Sequence, residues 1–464
     1  MTSPKQILFL VSEFTYVRNY LRTGALDSVL ANHNVRFALA EEVSEGDHPL
    51  ADPQIVGTFK YTPKQVRLQA EIFQILAWRH RKKSRTFFYR WLRQSNWNLV
   101  VRQLSLLARF RALLAWSAGI LTQRSLFIGP ILGNRFLFKL SFSVLTRRRQ
   151  PNEGLSAIIE QGNWDLIAIP SAGFEPATFD AIRVAKSKKI PTLALIDNWD
   201  NLVSKTVFSP KPDQIGVWGE QAEKQAIEVQ GFEKQAISLI GTPRFDQYFI
   251  ARDSFTAVRG DYILFVGSAM PFDELGALHS IENALEELGL ETVPIVYRPH
   301  PWQQKRLVNS VFNESDFRVT VLDTQIAAAK RQRVQQSSTD TRFQPDLSHY
   351  PDLFRNSRIV IGPLTTMLLE ASICVRPVIG LSYDDGYHFT TSLKYFSHFD
   401  GMESVPGFQF CDTKDRLRHC LQKGLGQPAI NPELLDAGLS QFLVIEQRPY
   451  PERLLELVNH SLRN

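Results

Sequence analysis

The chain has 464 residues, enough for two or three domains of ordinary size. With 44% hydrophobic and 22% charged residues it is neither disordered, collagenous nor low in complexity. Three cysteines, Cys374, Cys411 and Cys420, with no CxxC pair, exclude a disulfide scaffold and a cysteine zinc site, while the net charge of +6 is modest in sum and very uneven in distribution.

The first element predicted is a buried strand at 7–11, IleLeuPheLeuVal, which follows Lys5 and is too short for the apolar core of a signal peptide. Glu13 follows it. Residues 61–150 then hold eighteen Lys and Arg against one acid, Glu71, so this segment carries +17 and the remainder of the chain −11. Large apolar side chains are interleaved: Trp78, Phe87, Phe88, Tyr89, Trp91, Trp97, Phe110 and Trp116. The pattern predicts helices at 63–80, opened by Pro63, and at 98–120. Two readings fit this segment. One is a helical insertion packed on the core with a solvated basic face; the other is a surface for anionic headgroups or a phosphate-bearing acceptor. No nucleic-acid module signature accompanies the basic stripe, so nucleic acid is set aside as a partner. No apolar stretch reaches the ~18–20 residues of a spanning helix.

Beyond residue 150, strands and helices alternate. Strands are predicted at 165–170 and 192–196, with helices at 174–187 and 220–230. A polar stretch at 250–260 is read as the inter-domain linker. A second series follows, with strands at 262–267, 293–297, 317–322 and 358–362 and an amphipathic helix at 279–288. Residues 323–350 read as a long polar loop and 448–462 as a last helix. Strand–helix–strand spacing of this kind implies parallel sheets.

In open α/β sheets ligands bind at the carboxyl ends of the strands, so the loops there carry the candidate site. ArgProHisPro, 298–301, follows the strand ending at Tyr297; two prolines fix the turn and put Arg298 and His300 at the crevice lip, both able to bond a phosphate. GlyProLeuThrThrMetLeuLeuGluAla, 362–371, follows the strand ending at Ile361. It places Thr365 and Thr366 at a helix N-terminus, a ready phosphate site, with Glu370 on the same helix as a candidate ribose acceptor. GlyThrProArgPheAsp, 241–246, offers Arg244 to a phosphate or to Asp246. Gly267 and Ser268 are candidates to present backbone amides. In the first half, IleAspAsnTrpAspAsn, 196–201, crowds Asp197, Asn198, Asp200 and Asn201 into one loop, where they bind a ligand or each other. Glu13 is either a base in an acceptor cleft or a solvated loop acid. No GxGxxG, Walker, HExxH or GxSxG motif is present, and the histidines show no metal-ligand spacing.

The order GlyThrProArgPheAsp, ArgProHisPro, then GlyProLeuThrThrMetLeuLeuGluAla resembles GT-B glycosyltransferase-like enzymes. It is nearest to CDP-glycerol glycerophosphotransferases and the allied capsule and lipopolysaccharide transferases, over residues 190–390. The resemblance implies an α/β fold of the GT-B type, two Rossmann-like domains facing a cleft. Residues 1–250 would be the acceptor domain with the basic helical insertion at 61–150, residues 260–445 the nucleotide-donor domain, and 446–464 a helix crossing back. It implies donor contacts from His300, Thr365, Thr366 and Glu370, and no metal. The glycerophosphotransferases have a T-D-Y-S-S turn where this chain has GlyProLeuThrThr, which favours a sugar donor.

The expectation is a metal-independent glycosyltransferase with no cofactor beyond a nucleotide-sugar co-substrate. It would act on a glycan or lipid-linked acceptor of surface polysaccharide assembly. Glu13 or Asp197 would be the base, and the protein would lie in the cytoplasm, peripheral on the inner face of the plasma membrane. The alternatives are a sugar-nucleotide epimerase of the UDP-GlcNAc 2-epimerase type and a non-catalytic, membrane-docking nucleotide-binding protein.

Overall fold

The computed structural model describes residues 3–80, 82–87, 149–252, 260–269, 272–300, 312–328, 346–385, 392–446 and 448–463. The chain divides into two compact units. The first comprises Met1–Pro243 with Gln441–Asn464, the second Arg244–Ser440.

Among the described residues the first unit holds seven strands: β1 (Gln6–Val11), β2 (Asn34–Ala40), β3 (Ile55–Phe59), β4 (Leu166–Ser171), β5 (Thr192–Ile196), β6 (Gln214–Val217) and β7 (Ile237–Leu239). They lie in the order β3-β2-β1-β4-β5-β6-β7, all parallel. The apolar runs of β1, β4 and β5 are buried almost throughout, as parallel strands covered on both faces must be. The C-terminal helix Tyr450–Ser461 belongs to this unit. Its Tyr450, Leu454, Leu457 and Val458 enter the same core as Ile7, Phe9 and Val11.

The second unit holds β8 (Tyr262–Val266), β9 (Ile295–Arg298), β10 (Thr320–Leu322), β11 (Ser357–Pro363), β12 (Val378–Leu381) and β13 (Phe408–Cys411) among the described residues. Their order is β10-β9-β8-β11-β12-β13, again parallel throughout. The amphipathic helix is Glu274–Glu287; it covers the sheet with Ala277, Leu278, Ile281 and Leu285. All three cysteines are free and buried.

The boundary falls between Pro243 and Arg244, and Asp246–Arg252 is helical and part of the second unit. The reason is visible in its side chains: Tyr248 bonds Glu370 and Arg252 bonds Asp436, both within that unit. Of the basic segment, the helix Pro63–His80 is present, and its Ile72 and Leu76 pack with Phe87 against Phe179, Val203 and Val207. The helix expected at 98–120, and Trp91, Trp97, Phe110 and Trp116, lie outside the described residues. No described helix is long and apolar enough to cross a membrane.

Candidate functional site

Each sheet reverses its winding once, between β1 and β4 in the first unit and between β8 and β11 in the second. A crevice opens at the carboxyl ends of the strands at such a point, because the flanking loops leave in opposite directions. The sequence motifs fall on these two edges.

In the second unit, His300 follows β9 and is half-buried. Gly267 follows β8 and lies beside His300. A Cβ there would stand 2.8 Å from the His300 amide nitrogen and 2.6 Å from Glu274 Oε2, so only glycine lets these chains approach. Thr365 is the N-cap of the helix Thr366–Ile373, after β11, and its side chain makes no capping bond. Both threonines are half-buried. His300, Thr365 and Thr366 therefore flank β8 with an imidazole, two hydroxyls and a helix N-terminus. That set suits the oxygens of a phosphate.

Five residues expected beside them are used differently. Arg298 is the last residue of β9, one beyond the expected strand end, and its side chain turns inward. It is 1% exposed and donates to Asp323 at 2.5 Å, Gln325 at 3.0 Å and the Tyr350 hydroxyl at 3.0 Å. Burial alone would push the Asp323 carboxyl up. The His349 hydrogen bond and the Arg298 charge outweigh it and hold the group below its ordinary value. The Ser268 amide is donated to Glu274 Oε1 at 2.9 Å and the Gly267 amide to the Arg298 carbonyl at 2.8 Å, so neither amide is turned to a ligand. Glu370 is buried and accepts from Arg244 at 2.6 Å and Tyr248 at 2.7 Å, which accounts for both residues inside the unit.

In the first unit, Glu13 leaves β1 with its side chain at the surface. Desolvation first, then the charges of Glu175 and Glu42, raise its carboxyl to about 7. Glu175 closes the turn after β4. Its carboxylate accepts from Ser171 Oγ at 3.2 Å, from the amides of Ala172, Gly173 and Phe174 at 3.0–3.2 Å, and from the Tyr16 hydroxyl. Asp197 is 2% exposed and accepts from Asn19 at 2.8 Å and Asn198 at 3.3 Å. Asp200 takes Ser204 at 2.6 Å and Lys205 at 3.2 Å, and the buried Asn201 donates to the Ser171 carbonyl at 3.3 Å. The 196–201 loop thus binds itself and its scaffold, and Glu13 is the more accessible of the two expected bases.

Sequence reasoning missed Tyr16, Asn19, Glu175, Glu274 and Asp323. One signal was available: Glu175 directly precedes Pro176, the first residue of the helix Pro176–Lys188, just after a strand. Among the described residues no group of three or more His, Cys, Asp or Glu is placed to hold a metal ion.

No protein-family model matches the chain. No curated protein matches it either. Among solved structures, it is similar to S. aureus MnaA in complex with UDP, at 11% identity over 98% of this chain and 95% of that one, with a TM-score of 0.46. It is similar to the wall teichoic acid polymerase TagF with CDPG, at 13% identity over 100% and 90% and a TM-score of 0.45. Acinetobacter baumannii MurG gives 11% identity over 98% and 100%, with a TM-score of 0.44. At such identities it is the geometry of the strand ends that bears on function. The topology on its own gives an α/β fold, with two Rossmann-like units of parallel sheet.

Proposed function

We propose that the protein is a glycosyltransferase that moves a sugar from a nucleotide-activated donor to a hydroxyl of a surface glycan or lipid-linked acceptor. The observation that carries this reading is the edge of the second sheet, where His300 and the Thr365–Thr366 helix start flank the switch point. In this reading they hold the donor's phosphates. Glu13, raised to about 7, takes the proton of the acceptor hydroxyl. The acceptor oxygen bonds to the anomeric carbon as the bond from that carbon to the phosphate oxygen breaks. The negative charge arriving on the phosphate is met by the imidazole, the hydroxyls and the helix N-terminus, without a metal. The basic segment, at +17, would hold the enzyme on the anionic inner face of a membrane, beside a lipid-linked acceptor; co-sedimentation with anionic but not neutral vesicles reads that attachment.

Product analysis tests the reading. UDP-, CDP-, GDP- and CMP-sugars are incubated with and without acceptor glycans in EDTA. Transfer that needs the acceptor and survives EDTA is expected. Conversion of the sugar with donor alone would make the protein an epimerase, and binding without turnover of any donor would leave a binding protein.

A further inference from the structure

The residues that follow β1 are fastened to the ends of two other strands of the first sheet. Tyr16 is 1% exposed. Its amide donates to the Glu13 carbonyl at 3.0 Å, closing the one-turn helix Phe14–Tyr16 of which Glu13 is the N-cap. Its hydroxyl accepts from the Ala172 amide at 2.8 Å and donates to Glu175, both in the turn after β4, the strand paired with β1. Burial first, then the charges of Glu175 and Asp197, push that hydroxyl well above its ordinary pKa, so Tyr16 keeps its proton and remains a donor. The next turn, Val17–Leu21, closes with a bond from the Arg22 amide to the Val17 carbonyl at 3.1 Å, a wide π-type turn of the kind frequent at functional sites. It buries Asn19, which donates to Asp197 after β5 at 2.8 Å.

Glu175 has nothing left for a ligand. It is 3% exposed, its Oε1 takes Tyr16 and Ala172, and its Oε2 takes Ser171, Gly173 and Phe174. What it supplies is a charge in a fixed place. Tyr16 makes the connection, because the residue that closes the Glu13 turn is also the one that binds Glu175. The charged groups that act on the Glu13 carboxyl come from two elements: Glu175 after β4, and Glu42 in the short helix Glu41–Ser44 after β2. Like charges favour the protonated form of a carboxyl, and a base that takes a proton near neutral pH needs such a push.

We propose that Tyr16 and Glu175 are positioning residues for Glu13: their hydrogen bond clamps the turn that carries Glu13 to the end of β4 and keeps a buried negative charge fixed against that turn. This deepens the transferase reading and rests on it for the role of Glu13 as base, but not for the clamp.

The test is carbon NMR on the full chain labelled at the glutamate carboxyls, with the Glu13 signal identified by its absence in Glu13→Gln. No substrate is needed. The wild-type signal should titrate near pH 7. Glu175→Gln keeps the size and removes the charge, and should lower the midpoint by on the order of one pH unit, the scale of a nearby like charge. Tyr16→Phe keeps the ring and the Glu175 charge but unties the turn. It should lower the midpoint as well, by giving the carboxyl more water, and should reduce kcat for transfer by about tenfold or more, the scale of a misplaced catalytic group, with nucleotide affinity unchanged. A merely structural role would lower the melting temperature of these variants and leave the Glu13 midpoint in place. An unchanged midpoint in folded Glu175→Gln overturns the proposal, and if that variant does not fold, an unchanged midpoint in Tyr16→Phe overturns it. Lowered midpoints in a protein that turns over no donor keep the clamp and remove the transferase; transfer with unchanged midpoints keeps the transferase and removes the clamp.

Discussion

Glu13→Gln is expected to lower kcat for glycosyl transfer by about 10²–10⁴-fold, the usual contribution of a positioned general base, and to leave nucleotide affinity at the wild-type value. Glutamine keeps the shape and the solvent-facing position but cannot take a proton. The wild-type profile should carry the signature of the same group. Activity rises with pH through about 7 as the carboxyl ionises. The sign for stability is opposite. A carboxyl whose folded pKa is raised from 4.5 to about 7 favours the folded state most below its unfolded value, and that favour is lost as pH rises from 4.5 through 7. Glu13→Gln should therefore melt higher than the wild type at pH 8 and match it at pH 4. Transfer at the wild-type rate in Glu13→Gln removes it as the base.

Arg298→Met is expected to destabilise the second unit by about 3–5 kcal/mol, because it leaves the Asp323 carboxylate buried without its cation. Both side chains of the pair are 1% exposed at a separation of 2.5 Å, so water cannot replace the lost partner. Asp323 is depressed below 3.8, so its contribution is present above that value and fades as pH falls through the folded pKa. Denaturant unfolding at pH 7 reads the loss. A change within about 0.5 kcal/mol, the size seen at ordinary surface sites, would mean that Arg298 is not the buried brace described here.

The contrast between these two residues shows how far the sequence could be read. Strands that are apolar on both faces announce themselves as unbroken runs, so β1, β4, β5, β8 and β11 were legible. So was the idea that their following loops carry the chemistry. β2, β3, β6, β7, β12 and β13 were not picked out; β7 is three residues long, and exposed residues break β2 and β3. Arg298 shows the second limit. Whether the strand ends at 297 or at 298 decides whether a guanidinium faces a crevice or a core, and apolar patterning does not fix a strand end to one residue. Glu370 shows the third. A carboxylate on a helix beside a threonine turn suits a ribose, but its partners Arg244 and Tyr248 lie more than a hundred residues away in sequence. No local pattern announces such a contact. Glu175 was hidden for the same reason, since Tyr16 precedes it by 159 residues.

The central claim is that the edge of the second sheet binds a nucleotide's phosphates through His300 and the Thr365–Thr366 helix start. Isothermal titration of the full chain with UDP, CDP, GDP and CMP measures it directly. One of the four should bind. His300→Ala should weaken that nucleotide by about tenfold or more, the loss of a charge-assisted hydrogen bond of about 1.5 kcal/mol, and Thr365→Ala should weaken it as well. Wild-type affinity in both variants, or no binding of any of the four to the wild type, would contradict the account.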